Sequence, residues 1–223
     1  KKIEDLAIGF RKASKEFGIK ILGGDTNEGK EISISFTLFG ITNKIIKRKG
    51  AKLNDIIISS GPFGYSSAGL FILQKKKKHS QSFGTKAKNA VLNPKSRLMF
   101  GLKNKNYFSS SMDSSDGLST TLNEMAEQSK RKFIITDIPA QRDIFDFATS
   151  NRLDPMNLIF NGGEEYEIIA TVNPSDLAKI KKYAKIHHIQ LYEIGYVTKG
   201  NGVYLQKNSR FIKIKDKGWH HFQ

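Results

Sequence analysis

Ile3, Leu6, Ala7, Phe10, Ala13 and Phe17 recur at intervals of three and four, which predicts an amphipathic helix over residues 2–17. Gly18 supplies a stop for it. Residues 19–22 form a short, mostly apolar strand candidate that runs into Gly23-Gly24-Asp25-Thr26. Ile32, Ile34, Phe36 and Leu38 alternate with Ser33, Ser35 and Thr37, the pattern of a half-buried strand. Ile56-Ile57-Ile58, within residues 55–60, predicts a fully buried strand. A loop with Gly61 and Gly64 follows, then a helix over about 65–75 carrying Ala68, Leu70, Phe71 and Leu73.

Further along, Pro94 suits a first helical position and predicts a helix through about residue 102. Leu118, Leu122, Met125 and Ala126 share one face of a helix over 116–129. Strands are predicted at 133–138, 166–172 and 190–197, and helices at 139–150 and 174–188. Residues 203–206 and 211–215 read as a closing hairpin across Asn208. Helices and strands alternate throughout, so the fold class is α/β, or α+β with mixed sheets. The basic stretch over 43–53, ending near Gly50, is the best domain boundary. It divides the chain into 1–47 and 48–223.

Composition narrows the function classes. A chain of 223 residues with 38% hydrophobic residues can bury a core, which argues against disorder. No run of about 18 apolar residues is present, so no membrane span or membrane partner is expected. Cysteine is absent, which excludes disulfides and thiolate metal sites. The opening residues read as a helix start and not as a secretory signal, so a cytoplasmic protein is expected. The chain opens in mid-pattern without Met and is read as a fragment or processed product. The net charge of +16 attracts anions, either nucleotides or nucleic acid, but a lysine-rich compositional bias accounts for it as well. The lysine run at 75–78 is read as a solvated helix end or loop.

Three segments place carboxylates beside small residues at a turn. Gly23-Gly24-Asp25-Thr26 allows close backbone approach to a ligand and offers a hard oxygen donor, although most such strings are plain turns. In Asp113-Ser114-Ser115-Asp116-Gly117-Leu118 the two Asp residues, three apart, can face one ligand at a helix start. The competing reading is an ordinary Asp N-cap. Gly162-Gly163-Glu164-Glu165-Tyr166-Glu167 crowds three glutamates, which is costly unless they are exposed or bound to something; a solvated loop is the alternative. The strand–loop–helix unit at 61–70 could receive phosphate on backbone amides, or it could simply pack small residues between helix and sheet. His187-His188 and His220-His221 lack the spacing of a helical zinc site and are read as surface residues.

Taken in order, these segments resemble the thiamine-monophosphate kinase family. They are Gly23-Gly24-Asp25-Thr26, Arg48 before Gly50-Ala51, Asp55 with the 61–70 unit, 113–118, 162–167 and Lys217-Gly218-Trp219-His220-His221-Phe222. The family shares a superfamily with aminoimidazole ribonucleotide synthetase, selenophosphate synthetase and a hydrogenase maturation protein. The resemblance implies a two-domain, aminoimidazole ribonucleotide synthetase-like architecture whose N-terminal domain is incomplete here. Residues 1–47 would be the tail of an ATP-binding and dimerisation domain, and 48–223 the C-terminal α/β domain. It departs at Ser114, where the family tends to an apolar residue, and at Glu165, where it tends to Asp.

The implied reaction transfers a phosphoryl group from ATP to thiamine monophosphate, giving thiamine diphosphate, with several Mg²⁺ ions. Asp25, Asp113 and Asp116 would be the metal ligands. Arg48, Ser115 and Asp25 would contact ATP, and Glu164 and Trp219 the thiamine moiety. No catalytic residue beyond these metal and phosphate ligands is implied. Trp219 also reads as a C-terminal core anchor. A homodimer is implied, and no nucleic-acid partner. The competing readings are a sister ATP-dependent enzyme of the superfamily and a basic nucleic-acid-binding module, which lacks an aromatic–basic motif in this sequence.

Overall fold

The computed structural model describes residues 2–75 and 77–219. The chain divides into two compact units, Lys1–Asn43 and Lys44–Gln223.

In the first unit, helix α1 spans Lys2–Phe17, with Glu4 and Asp5 in its first turn and Lys15 in its last, both matched to the helix dipole. Ser14 closes the helix end: its carbonyl accepts the Ile19 N–H at 3.1 Å and its hydroxyl donates to the Ile19 carbonyl at 2.6 Å. The Phe10 and Phe36 rings meet edge to face at 5.5 Å. The strands expected at 19–22 and 32–38 do not form among the described residues. Alternation marks a strand only where a neighbour accepts its ladder of hydrogen bonds. The unit supplies no such neighbour, and Ile32, Ile34, Phe36 and Leu38 remain exposed.

The second unit is built on one sheet. Its elements in chain order are β1 (Ile56–Ser59), α2 (Tyr65–Lys75), α3 (Gln81–Leu92), α4 (Leu98–Asn104), β2 (Phe108–Asp113), α5 (Leu118–Ser129) and β3 (Lys132–Ile135). There follow α6 (Arg142–Ser150), a π-helical turn (Asn157–Asn161), β4 (Ile168–Val172), α7 (Pro174–Ile186), β5 (Tyr192–Thr198), β6 (Gly202–Lys207) and β7 (Arg210–Lys213). The seven strands lie in the order β2-β4-β1-β5-β3-β6-β7. Every pairing is antiparallel except β3 with β6. The class is therefore mixed α/β. The hairpin β6–β7 forms as expected, with Asn208 at φ +56° in its turn.

The pleat sends successive side chains to opposite faces. Ile57, Ile169 and Ile194 meet α2, α3, α5 and α6 in the larger core, while Ile58, Ala170 and Val172 meet Phe100 of α4 and Ile180 of α7. Two elements escape the periodicity reading. Helix α3 is largely polar but is capped by Ser80, and Phe83 and Ala87 are its buried contacts. Strand β2 carries Ser109, Ser110 and Ser111, which hide its strand character; Ser110 instead bonds Thr171 at 2.8 Å inside the sheet. Helix α4 begins at Leu98 and not at Pro94, because Ser96 accepts the Leu98 N–H in a local turn and Arg97 is drawn elsewhere. In the register Ser59 faces Ile169, Asp113 faces Ile168 and Ser59 faces Tyr192. The ends of β1 and β2 and the starts of β4 and β5 therefore share one edge of the molecule, and the candidate motifs sit there.

Candidate active site

Three loops brace one another at that edge. The N–H of Ser114 donates to the Glu167 carbonyl at 2.9 Å, that of Tyr166 to the Ser114 carbonyl at 3.0 Å, and that of Glu164 to the Ser115 carbonyl at 2.6 Å. Contact this close needs glycine: a Cβ on Gly163 would lie 2.6 Å from the Ser115 carbonyl oxygen. The C-terminal segment joins from the other side. Lys217 N–H donates to the Ser119 hydroxyl at 3.3 Å, Thr120 donates to Asp216 at 2.7 Å, and Trp219 N–H donates to the Asp116 carbonyl at 2.9 Å.

The two Asp residues are not helix caps. The residue before α5 is Gly117, at φ +116°, and no side chain caps the helix. Asp113 is exposed at the end of β2 and Asp116 is half-buried. Together with Glu164 they act on the Tyr166 phenol, whose pKa is raised by burial first and then by the charges of Glu164, Asp113 and Asp116. Among the described residues none of these three carboxylates pairs with a basic side chain. Nor do any three His, Asp or Glu side chains among them converge into a ready metal cage. Carboxylate oxygens clustered without cationic partners are donors suited to a hard divalent ion that also carries phosphate. The donors fit Mg²⁺ in kind, as hard carboxylate oxygens, without forming a ready cage among the described residues.

The three glutamates of 162–167 have three fates. Glu164 is exposed, with a left-handed backbone at φ +64°. Glu165 places Oε1 2.7 Å from the Gly64 N and 3.0 Å from the Ser66 N, at the start of α2. Burial pushes its carboxyl up to about 7, against the pull of those amides. Glu167 is buried and takes a two-point contact from Arg97, with Nε at 2.7 Å. It also accepts the Ser60 hydroxyl, which in turn accepts the Ile168 N–H at 2.8 Å. The solvated-loop reading therefore holds for Glu164 alone. The phosphate reading of 61–70 gives way as well, since Glu165 occupies the Gly64 and Ser66 amides and the Pro139 carbonyl takes that of Phe63.

Ser115 is half-buried between Asp113 and Asp116, its carbonyl engaged by Glu164. Trp219 is 66% exposed, which removes the core-anchor reading. Arg48 is 53% exposed and pairs with Glu124 at 3.6 Å in the middle of α5, roughly 9 Å along the helix from Leu118 at 1.5 Å per residue. Within the second unit, Asp113, Ser115, Asp116, Glu164 and the Trp219 backbone are thus brought together, while Arg48 stands on the flank of α5. A basic depression lined by Lys44, Lys47, Lys49, Gly50 and Ser129 lies by Ser109, at the opposite end of β2. Asp25, in the first unit, is exposed and accepts the Thr26 N–H at 2.8 Å. His187 and His188 are exposed as expected. Lys76, His220, His221 and Phe222 lie outside the described residues.

Arg97 and Ser60 escaped sequence reasoning, and so did the partners of Glu165 and Glu167. The only available signal was the cost of three neighbouring glutamates, which demanded a partner without naming it.

Thiamine-monophosphate kinase of Nitrosopumilus maritimus is 56% identical over 222 residues, covering 100% of this chain and 71% of that protein. The chain belongs to the thiamine-monophosphate kinase family. The Pyrococcus horikoshii member is 31% identical, and the match covers 100% of this chain and 68% of that protein. The domain described as AIR synthase related protein, C-terminal domain, matches residues 54–208. Among solved structures, AaThiL complexed with AMPPCP and TMP superposes with a TM-score of 0.67 at 29% identity. That match covers 81% of this chain but 55% of the solved one, so the chain spans little more than half of that kinase. The chain has an AIR synthase-like fold, built here on a seven-stranded mixed sheet. Among the described residues no helix is long and apolar enough to cross a membrane.

Proposed function

We propose that this chain is part of an enzyme that transfers the terminal phosphoryl group of ATP to thiamine monophosphate, producing thiamine diphosphate. The observation that carries the reading is 56% identity to a thiamine-monophosphate kinase over the whole chain. The solved relative bound to AMPPCP, an ATP analogue, and to TMP supports the choice of substrates.

The terminal phosphate oxygen of the acceptor is already anionic at neutral pH, so the reaction needs positioning and charge neutralisation more than a strong base. Bound Mg²⁺ ions would supply that neutralisation. Asp113 and Asp116 would hold them at the loop edge, and Asp25 offers a carboxylate of the same kind in the first unit. The α5 N-terminus, uncapped by any side chain, turns its positive dipole end toward the same loop. Ser115 would contact the nucleotide. Arg48 would exchange its exposed partner Glu124 for an ATP phosphate, a small loss since such surface pairs contribute at most about 1 kcal/mol. Glu164 and Trp219 would receive the thiamine moiety, whose cationic ring is attracted to an aromatic face. Residues 1–47 would belong to an ATP-binding and dimerisation domain, and the working enzyme would be a cytoplasmic homodimer.

The test is thiamine diphosphate formation from thiamine monophosphate and Mg-ATP by the natural full-length protein, with Asp113→Asn as control. Wild type should turn over, and the variant should lose about 100-fold or more, the scale of losing one electrostatic stabiliser of the transition state, here the Mg²⁺ that Asp113 would hold. Its melting temperature should not move, because Asp113 is exposed. A folded wild-type protein that binds ATP and forms no product would sink the reading.

A further inference from the structure

We propose that Glu165 is the positioning residue of the thiamine end of the site, an inference that rests on the function proposed above. It stands between Glu164 at φ +64° and Tyr166 at φ +53°. Residues with a Cβ rarely adopt this left-handed backbone, and two flanking one position need an outside restraint. Glu165 supplies it: Oε1 receives the Gly64 and Ser66 amides at 2.7 and 3.0 Å, so the loop is tied to the first turn of α2.

Helix α2 is a firm anchor. Tyr65, Ser66, Ser67, Ala68, Gly69 and Ile72 are buried. The Tyr65 hydroxyl lies within hydrogen-bonding reach of Gln141 at 2.6 Å and Asp143 at 2.5 Å, and Lys86 closes over the Tyr65 ring at 3.9 Å. On the far side of Glu165 the Glu164 and Tyr166 amides reach Ser115 and Ser114. Glu165 thereby transmits the position of α2 to the loop that carries Glu164, without itself facing the Asp113 edge. Glu167 cannot take this role, because its carboxylate is committed to Arg97 and Ser60.

The experiment compares Glu165→Ala with Glu165→Gln in the full-length enzyme; Gln keeps an oxygen acceptor for the two amides. Glu165→Ala should raise KM for thiamine monophosphate about tenfold while KM for ATP stays within about twofold, and Gln should restore most of the loss. A merely structural defect would lower the amount of active enzyme and leave both KM values alone. In parallel, amide exchange at Glu164 and Tyr166 should speed up about tenfold in Ala and not in Gln, with β4 unchanged. Should Ala fail to fold, Glu165→Ser, too short to reach α2, replaces it. Unchanged KM and exchange in Ala, or equal losses in Ala and Gln, would overturn the assignment. If wild type makes no thiamine diphosphate, the functional reading fails and the exchange comparison alone decides the positioning role.

Discussion

The backbone N–H of Trp219 donates to the carbonyl of Asp116 at 2.9 Å, so the aromatic residue at the C-terminal end is placed against the acidic loop by main chain, while its ring is 66% exposed. A ring this exposed contributes little to the core. Trp219→Ala should raise KM for thiamine monophosphate by roughly 2- to 30-fold, the span of cation–π attractions of 0.5–2 kcal/mol. Phe should retain part of it. Melting temperature should stay near wild type; a large drop would return Trp219 to a structural role.

Gly218 makes that placement possible. A Cβ there would lie 2.1 Å from the Asp116 carbonyl oxygen and 2.1 Å from the Thr120 hydroxyl. The Asp116 backbone cannot yield cheaply, so Gly218→Ala should lift the C-terminal segment off α5. We expect a destabilisation of about 1–3 kcal/mol, typical of overpacking, together with weaker thiamine monophosphate binding. Denaturant titration and steady-state kinetics check the two halves separately. An alanine variant as stable and active as wild type would show that the segment is not held there.

Half-buried Arg97 pairs with buried Glu167, and removal of Arg97 strands the Glu167 carboxylate. Arg97→Ala should cost about 3–5 kcal/mol, as expected when a buried charge loses its partner. Replacing both residues, as Arg97→Met with Glu167→Gln, should recover a large share of that loss. A double-mutant cycle measured by urea unfolding gives the coupling; strict additivity would mean the pair does not interact in solution.

Glu165 predicts a pH dependence of stability with a definite sign. Its folded carboxyl, raised by burial to about 7, lies above the ordinary 4.5 of the unfolded chain. Between those values the folded state holds a proton that the unfolded state has released. The contribution of this group is therefore full below about 4.5, is lost as pH rises toward 7, and is flat above it. Glu165→Gln should remove that slope, which denaturant unfolding of both proteins at pH 5 and pH 7.5 will read. An identical slope in the variant would assign the titration to another group.

Local chemistry made a large part of this legible. The three-and-four spacing of Ile3 to Phe17 marks one face of a helix and the triple isoleucine at 56–58 marks a strand; both elements formed, but only the strand buries its side chains, at Ile57 and Ile58, while α1 buries none. The same rules failed where a partner outside the window decided the outcome. Ile32 to Leu38 alternates but forms no strand, because alternation cannot create the neighbour that a ladder needs. Serine-rich β2 is a strand despite its composition, because β4 pairs with it along its length, with a register shift between Phe108 and Ser110.

The division of labour is the same at the site. The sequence by itself determined where carboxylates and paired glycines cluster, and their order along the chain was enough to indicate the family. Only the tertiary structure decided what each acid does. It left Asp113, Asp116 and Glu164 acting on Tyr166 with no basic side chain paired to them among the described residues, set Glu165 on the start of α2, and tied Glu167 to Arg97. The physical reason is range. Composition and periodicity report on neighbours within a few residues, whereas the free or committed state of a carboxylate depends on hydrogen bonds between residues about a hundred positions apart at 64 and 165, or seventy at 97 and 167. Those contacts exist only once the sheet has brought the ends of β1, β2 and β4 to one edge.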